Sequence, residues 1–297
     1  MTKRYITLCN SEKYLKGALV LYESLNATGT AIPLVIFCPK KTPDRVRDIL
    51  KGYAAACAGN SCKLEILESE EDVVLPQEVT ANNKWLRWNG TFDKLLIFGL
   101  AQYSKLVFID SDMLICKNLD HLFDCPHLSA CCDGHYDPHN LNSGLMVIEP
   151  TADREEMLRI ISFIKEVTNH PQFGDQDIIR LAFPHWKAAK ELHLSEQYNL
   201  FYESAAWKKA EAGYDISADA HAPIYIIHFI GYDKPWYEGK QLKWKVYTFT
   251  WNTKMRLKGQ KEYKNNLVQR IQKQYRRFLS ITKGKLKALQ VTIYEMG

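Results

Sequence analysis

Two acidic residues, Asp110 and Asp112, interrupt a run of apolar residues near the middle of the chain. The stretch KLVFIDSDMLI begins like a buried strand, and its apolar residues resume directly after the second aspartate. Carboxylates are rare in such surroundings unless they are paired or bind a metal ion. Two carboxylates one residue apart make a compact oxygen site that suits Mg²⁺ or Mn²⁺. Taken alone, the pattern is equally typical of a strand-end cap or a solvated turn.

Predicted strands and helices alternate through the first half of the chain. We predict strands in RYITLCN, IPLVIFCP, CKLEILE and KLVFID, and helices in YLKGALVLYESLNATG, TPDRVRDILKGYAAAC and TFDKLLIFGLAQY. Continuous apolar strands separated by helices are typical of a mainly parallel sheet that helices cover on both faces. In such sheets ligands bind at the carboxyl ends of the strands, where Asp110 and Asp112 lie.

The second half of the chain adds further predicted elements. Strands are predicted at NSGLMVIEP and APIYIIHFIGYDKPW, and helices at ADREEMLRIISFIKEVTNH and GDQDIIRLAFP. His228 ends the apolar run of the second of these strands. A lone histidine in an apolar strand is more often a core residue than a metal ligand, so its position alone decides nothing.

The composition restricts the class of protein. Of the 297 residues, 46% are apolar and 25% are charged, as in ordinary globular proteins. No apolar run approaches the roughly 20 residues of a membrane span, and the N-terminus lacks the apolar region of a signal peptide. The 8 cysteines form no CxxC pair, which favours reduced, packed thiols over a zinc site. We therefore expect a cytoplasmic protein.

The net charge of +5 is unevenly distributed. Residues 251–290 contain twelve Lys or Arg and one acidic residue, so the rest of the chain is mildly acidic. The apolar residues of this tail recur every three or four positions, which predicts a basic amphipathic helix. Such a helix is typical of a membrane-surface anchor, and the alternative is a helix docked on its own domain. Nucleic-acid binding is not expected, because no nucleic-acid motif accompanies the charge.

Five ordered stretches of the chain resemble glycosyltransferase family 8, which includes glycogenin, galactinol synthases and bacterial lipopolysaccharide galactosyl- and glucosyltransferases. They are ITLCNSEKYLKGALVLYESL, FDKLLIFGLAQYSKLVFIDSDMLICKNLDHLF, LNSGLMVIEP, FGDQDIIRLAF and HFIGYDKPW, between about residues 4 and 236. The resemblance implies an α/β fold of the GT-A type, with a single Rossmann-like domain around a mixed, mainly parallel sheet. We expect that domain over residues 1–250 and the basic helical tail over 251–297.

The resemblance also implies roles for individual residues. Asp110, Asp112 and His228 are expected to hold Mn²⁺, or else Mg²⁺, on the donor diphosphate. Asp175 and Gln176 are expected beside the anomeric carbon as catalytic residues. The residues expected to bind the nucleotide sugar are Leu8, Cys9, Asn10, Tyr14, Lys94, Asp110, Ser111, Asn142, Ser143, Gly144, Gly231 and Lys234.

The function implied is a retaining, Mn²⁺-dependent transfer of galactose or glucose from a UDP-sugar to a glycan, a glycolipid or another hydroxyl acceptor. The region after YNLFYESAAW lacks the tyrosine-bearing segment on which glycogenin glucosylates itself, which favours a separate acceptor. A soluble polyol transferase and a glycogenin-like glucosyltransferase stay open as alternatives. A non-catalytic module that binds nucleotide sugars is a different class of function. The expected location is cytoplasmic, with peripheral attachment to the inner face of the membrane through the tail.

Overall fold

The computed structural model describes residues 2–71, 73, 90–134, 137–167, 173–217, 219–231, 234–236 and 257–289. Its α-helices are α1 (Glu12–Asn26), α2 (Asp44–Ala56), α3 (Arg154–Ser162), α4 (Asp175–Ala182), α5 (Ala205–Ala212) and α6 (Leu257–Ala288). Its strands are β1 (Lys3–Leu8), β2 (Leu34–Cys38), β3 (Leu64–Glu68), β4 (Lys105–Ile109), β5 (Met113–Ile115), β6 (Ala130–Asp133), β7 (Asp137–Ile148), β8 (His193–Leu194), β9 (Leu200–Phe201), β10 (Tyr214–Asp215), β11 (Ala222–Pro223) and β12 (Ile226–His228). The longer 3₁₀ helices span Thr91–Gly99, Asp120–Asp124, Phe163–Val167 and Pro184–Lys187.

A seven-stranded sheet forms the centre of the fold, in the order β3-β2-β1-β4-β7-β6-β8. The first four of these strands are parallel to one another, and β8 is parallel to β6. Strand β7 runs antiparallel to both of its neighbours, β4 and β6. The prediction of a mixed, mainly parallel sheet is therefore confirmed.

Alternate side chains of the central strands pack against different sets of helices. Tyr5 and Val107 belong to a core that includes residues of α1 and α2. Ile6 and Phe108 belong to a second core, with residues of the 3₁₀ helix Thr91–Gly99, of α3 and of α4. Both faces of the sheet are thus covered, which explains why β2 and β4 are continuous apolar runs instead of alternating ones.

The stretch TFDKLLIFGLAQY was expected to form an α-helix, but the chain forms a 3₁₀ helix over Thr91–Gly99 only. Phe92, Leu95 and Phe98 are all buried and recur every third residue. This spacing matches the three residues per turn of a 3₁₀ helix, so the three side chains enter the core on one side. Lys94 is also buried, on a face of the same helix that meets the carboxyl end of the sheet.

A small sheet brings His228 next to the D-x-D segment. Strand β12 pairs antiparallel with β5, with His228 opposite Met113, and parallel with β9. The backbone N–H of Phe229 donates to the carbonyl oxygen of Asp112 at 3.0 Å. Two segments more than one hundred residues apart are thereby held in register beside the end of β4.

Helix α6 lies against the domain through its apolar stripe. Leu267, Ile271, Tyr275, Phe278 and Leu286 are all buried, in contact with residues of α1, α2 and α5 and of the β9–β12 region. The expectation that this stripe is available to enter a membrane is therefore wrong, and the docked alternative holds. The physical reason is that the stripe matches an apolar surface of the domain itself, which removes it from water.

Two ion pairs reinforce the docking of α6. Arg270 Nη1 lies 2.7 Å from Asp215 Oδ1, and Lys285 Nζ lies 2.7 Å from Glu23 Oε1. Within the described residues, no helix has both the length and the apolar character that a membrane span needs. The predicted domain boundary at residues 250 and 251 lies outside the described residues, so that division stays a prediction.

Candidate active site

Three potential metal ligands, Asp110, Asp112 and His228, converge where β4 and β12 end and are called the metal-ligand cluster below. One ligand atom from each of Asp110, Asp112 and His228 lies within 4.8 Å of the other two. Oδ1 of Asp112 is 3.2 Å from Nε2 of His228, and the backbone N–H of Asp110 donates to the Gly144 carbonyl at 2.8 Å. Two carboxylates and one imidazole fit a divalent cation such as Mg²⁺ or Mn²⁺, and the imidazole favours Mn²⁺.

The two carboxylates differ in their affinity for protons. Burial raises the pKa of Asp110 to about 6, although Lys94 opposes the rise, and the charge of Asp112 adds to it. Burial also disfavours the charged form of Asp112, but Lys234 and His228 outweigh it and hold the pKa of Asp112 well below its usual range. Asp112 is therefore ionised throughout the neutral range, and a cation would favour the ionised form of Asp110 as well.

A chain of side-chain amides fixes the imidazole of His228. The backbone N–H of Gly144 donates to Oδ1 of Asn142 at 2.9 Å, so this atom must be the acceptor end of that amide. Nδ2 of Asn199 donates to the same oxygen at 2.7 Å, and Oδ1 of Asn199 therefore faces Nδ1 of His228 at 2.8 Å. Nδ1 must carry the proton of this hydrogen bond, which leaves the lone pair of Nε2 directed at the metal-ligand cluster.

Position 144 must be glycine, because the imidazole of His228 lies very close to the backbone there. A Cβ atom at this position would lie 2.9 Å from Cε1 of His228 and 2.7 Å from the methyl carbon of Met113. A side chain here would therefore displace the metal-ligand cluster, and glycine allows the backbone of β7 to approach it.

Lys94 connects the metal-ligand cluster with the start of α4. Its ammonium lies 3.0 Å from Asp110 Oδ1 and 2.7 Å from Asp175 Oδ2, and it donates to the carbonyl and the hydroxyl of Ser143 at 3.2 Å each. Only 3% of its side chain is exposed, so it is not a surface charge. Burial disfavours its charged form, but the two carboxylates outweigh burial and raise the pKa of Lys94 above its usual range.

The two predicted catalytic residues are held in place by their neighbours. Burial opposes ionisation of Asp175, but Lys94 and the hydroxyl of Ser143, at 2.7 Å, outweigh it and lower the pKa of Asp175. Oε1 of Gln176 accepts from the backbone N–H of Ser143 at 3.0 Å, and its Nε2 donates to Asp133 at 2.9 Å.

Asp133 and Asn199 are site residues that sequence reasoning missed. Asp133 accepts from Gln176, from Nη2 of Arg180 at 3.0 Å and from Nδ2 of Asn142 at 2.8 Å. A signal for Asp133 was present, because it ends the short apolar run SACCD as Asp110 ends its strand. No comparable signal marks Asn199, whose role depends on its distance from His228.

Gly231 and Lys234 lie in the segment after β12. The ammonium of Lys234 donates to Oδ2 of Asp112 and to the carbonyl of Phe229, so it already contacts the metal-ligand cluster. Gly231 has a φ of +86°, a conformation that favours glycine. Trp236 closes the segment, because its Nε1 donates to the carbonyl of Lys13 in α1 at 2.9 Å.

The predicted nucleotide-binding residues at the end of β1 differ in burial and in their contacts. The side chain of Cys9 is buried in the core with α1, so its thiol is not available to a ligand. The backbone N–H of Cys9 donates to the carbonyl of Phe37 at 3.0 Å. Leu8 packs on the opposite core. Nδ2 of Asn10 donates to the Gly90 carbonyl at 2.7 Å and to Asp93 at 3.1 Å.

Tyr14 contacts Trp236, and Ser111 packs on α1 at Gly17. Tyr14 is half-buried, with its ring edge-on to Trp236 at a centroid distance of 6.5 Å. The carbonyl of Ser111 lies close to Gly17, where a Cβ atom would be only 2.6 Å away. The D-x-D segment thus packs directly on α1.

Comparison with known proteins agrees with this geometry. A family model described as glycosyl transferase family 8 matches residues 5–239. Human glycogenin-1 is 31% identical over 235 residues, which are 78% of this chain and 61% of glycogenin-1. A putative UDP-glucuronate:xylan α-glucuronosyltransferase 3 from Arabidopsis thaliana is 28% identical over 250 residues, 84% of this chain and 36% of that protein. The chain thus spans between about one third and three fifths of the length of these two relatives.

Solved structures share the fold at lower identity. The galactosyltransferase LgtC, crystallised with donor and acceptor sugar analogues, has a TM-score of 0.56 at 17% identity. The aligned part is 82% of this chain and 92% of the LgtC chain. The apo form of the glycosyltransferase GlyE of Streptococcus pneumoniae has a TM-score of 0.53 at 18% identity. The aligned part is 80% of this chain and 57% of the GlyE chain. The fold is thus of the GT-A type, and the family model covers more than half of the sequence: the chain belongs to glycosyltransferase family 8.

Proposed function

We propose that the chain is a retaining glycosyltransferase that moves galactose or glucose from a UDP-sugar to a hydroxyl acceptor, with Mn²⁺ as the cofactor and Mg²⁺ as the alternative. The observation that carries the proposal is the connection of the metal-ligand cluster through Lys94 to Asp175, and onward through Ser143 to Gln176. A site for the donor diphosphate and a site for the sugar would thereby be adjacent. The galactosyltransferase LgtC, among the similar structures, supports a hexosyl donor.

The donor diphosphate would lie at the ends of β4 and β12. Asp110, Asp112 and His228 would hold the divalent cation, which supplies positive charge for the diphosphate as the glycosidic bond breaks. Lys234 and the backbone of Gly231 would bind phosphate oxygens, because an ammonium and an accessible N–H are both suited to them. Asn10, Tyr14 and Ser111 would contact the nucleoside, with the ring of Tyr14 facing the base.

The residues around the sugar favour attack from the side of the leaving group. Both ends of the Gln176 amide are engaged by protein groups, and an amide is a poor nucleophile. One oxygen of Asp175 is shared between Lys94 and Ser143, so this carboxylate is an anchored charge instead of a free nucleophile. Asp175 would stabilise positive charge on the sugar ring in the transition state, while Asn142, Ser143 and Gly144 frame the sugar.

The acceptor would be a glycan or a glycolipid at the cytoplasmic side of a membrane. The outer face of α6 supports this part, because Lys273, Arg276, Arg277, Lys283 and Lys287 are exposed. With the apolar stripe covered, attachment would be electrostatic, and it would be lost at high salt. Sedimentation with anionic vesicles at low and high salt tests it, and binding that survives high salt would contradict an electrostatic contact.

A donor screen tests the catalytic proposal. UDP release would be measured from UDP-galactose and UDP-glucose, with Mn²⁺, with Mg²⁺ and with a chelator. We expect release that depends on the cation, and its loss in Asp112→Asn. Asp124→Asn is the matched control, because Asp124 is an exposed aspartate whose described partner is the half-exposed Lys3, at 3.5 Å. UDP binding without turnover of either donor would instead indicate a non-catalytic module.

A further inference from the structure

Helix α6 places one aromatic residue, Tyr275, against the segment that follows β12. Tyr275 is only 3% exposed. Its ring meets Phe229 edge-on at a centroid distance of 5.3 Å and lies roughly parallel to Trp236 at 6.5 Å. Phe229 directly follows the metal-ligand candidate His228, and its carbonyl accepts from Lys234. The C-terminal helix therefore forms part of the wall behind the expected diphosphate site.

The hydroxyl of Tyr275 is buried and has no hydrogen-bond partner among the described residues. Buried tyrosine hydroxyls are normally hydrogen-bonded, because leaving one without a partner costs free energy. Burial raises the pKa of Tyr275 far above its usual range, and the negative charge of Asp112 adds to the effect. The hydroxyl thus stays protonated and can act as a hydrogen-bond donor.

The neighbouring tyrosine gives a useful contrast. Tyr202 is also buried and packs on Phe229 at a centroid distance of 5.2 Å. Its hydroxyl accepts from Nε2 of Gln272 at 3.3 Å, a residue one turn earlier on α6. In the same aromatic cluster, one hydroxyl is therefore satisfied by the protein, and the other is not. Oδ2 of Asp112 accepts from Lys234, its Oδ1 faces Nε2 of His228 at 3.2 Å, and no described hydrogen bond joins either oxygen to Tyr275.

We propose that the Tyr275 hydroxyl donates a hydrogen bond to the diphosphate of the nucleotide sugar, so that α6 completes the donor site. The proposal rests on the proposed function, which puts phosphate oxygens beside Asp112. Phosphate oxygens accept hydrogen bonds and bring charge, which makes them suitable partners for a protonated phenol in a dry environment. Helix α6 is then part of the catalytic domain and not a separate attachment device.

The test is the binding of UDP in the presence of Mn²⁺ to the full-length protein, by isothermal titration calorimetry. Tyr275→Phe keeps the ring and removes only the hydroxyl, and Tyr202→Phe is the matched control from the same cluster. A hydrogen bond to a charged group predicts that Tyr275→Phe weakens UDP binding by about tenfold or more. Tyr202→Phe should leave UDP binding unchanged.

Two further measurements separate a ligand contact from a packing effect. The thermal midpoint of Tyr275→Phe should equal or exceed that of the wild type, because the variant loses a hydroxyl without a partner. Binding of uridine, which has no phosphate, should be the same in both. Unchanged UDP affinity in Tyr275→Phe, with a wild type that binds UDP, would overturn this inference alone. A wild type that binds no UDP would overturn the proposed function together with it.

Discussion

Replacing Asn199 by alanine tests whether the amide chain controls the metal site. The substitution removes the acceptor that faces Nδ1 of His228 at 2.8 Å and the donor that reaches Asn142 at 2.7 Å. The imidazole then loses the partner that fixes its tautomer and its ring orientation. No metal ligand is removed, so Asn199 acts as a positioning residue.

The expected magnitude follows from the single contact to the imidazole. Loss of an outer partner of a metal-binding histidine typically weakens metal binding by 10- to 100-fold, which is about 1.4–2.7 kcal/mol. Asn199 is 5% exposed, so water cannot easily replace its amide. We therefore expect the Mn²⁺ dissociation constant of Asn199→Ala to rise by about 10-fold or more.

The assay is a titration of the protein with Mn²⁺ alone, in which free Mn²⁺ is followed by electron paramagnetic resonance. Gln197→Ala is the matched control, since its amide donates to the Pro223 carbonyl at 2.9 Å and lies two residues away. An unchanged Mn²⁺ affinity in Asn199→Ala, with binding abolished by Asp112→Asn, would refute the orienting role. Equal losses in both alanine variants would point to a general loosening of this segment.

Three other predictions test different parts of the structure, one of them with a matched control. Asp175→Asn should lower kcat by about 100-fold and raise the donor KM much less, because its charge acts mainly in the transition state; steady-state kinetics decide. Gly17→Ala should destabilise the protein by about 1–3 kcal/mol in urea unfolding, because the new Cβ atom would lie 2.6 Å from the Ser111 carbonyl oxygen. Gly52→Ala is the matched control: the nearest atom to its new Cβ is 3.9 Å away, so it should stabilise α2 by up to about 1 kcal/mol. Burial opposes ionisation of Asp215, but its hydrogen bond to Lys209 and its other partners outweigh burial and lower the pKa of Asp215 below its usual value of 3.8. The stabilising contribution of the ionised carboxylate is therefore present above pH 3.8 and is lost as the pH falls further. Asp215→Asn should flatten the dependence of the unfolding free energy on pH in this acidic range.

The sheet and the position of the D-x-D segment were predictable from the sequence. Continuous apolar runs require a sheet buried on both faces, and that sheet places the residues after β4 at its ligand edge. The hydrogen bonds between the side chains of the site were not predictable in the same way. Asn199 and Asp133 act through side-chain hydrogen bonds, most of them to residues far along the chain, and no local periodicity records such contacts.

The tail shows a different limit of the sequence. A stripe of apolar residues on a basic helix states that one face must leave water, but not what covers it. The same spacing from Leu267 to Leu286 would serve a membrane or a protein surface. The complementary surface is made by α1, α2 and α5 together, and it exists only once the chain has folded.

The two lysines of the site have different roles because they are held differently. Lys94 is enclosed by Asp110, Asp175 and Ser143, so it is a fixed charge. Lys234 contacts Oδ2 of Asp112, a carboxylate that a bound cation would also use. Cation and ammonium therefore compete for one carboxylate, and a diphosphate offers the displaced ammonium a new partner. UDP should thus tighten Mn²⁺ binding, and an Mn²⁺ titration that gives the same dissociation constant with and without UDP would refute this coupling.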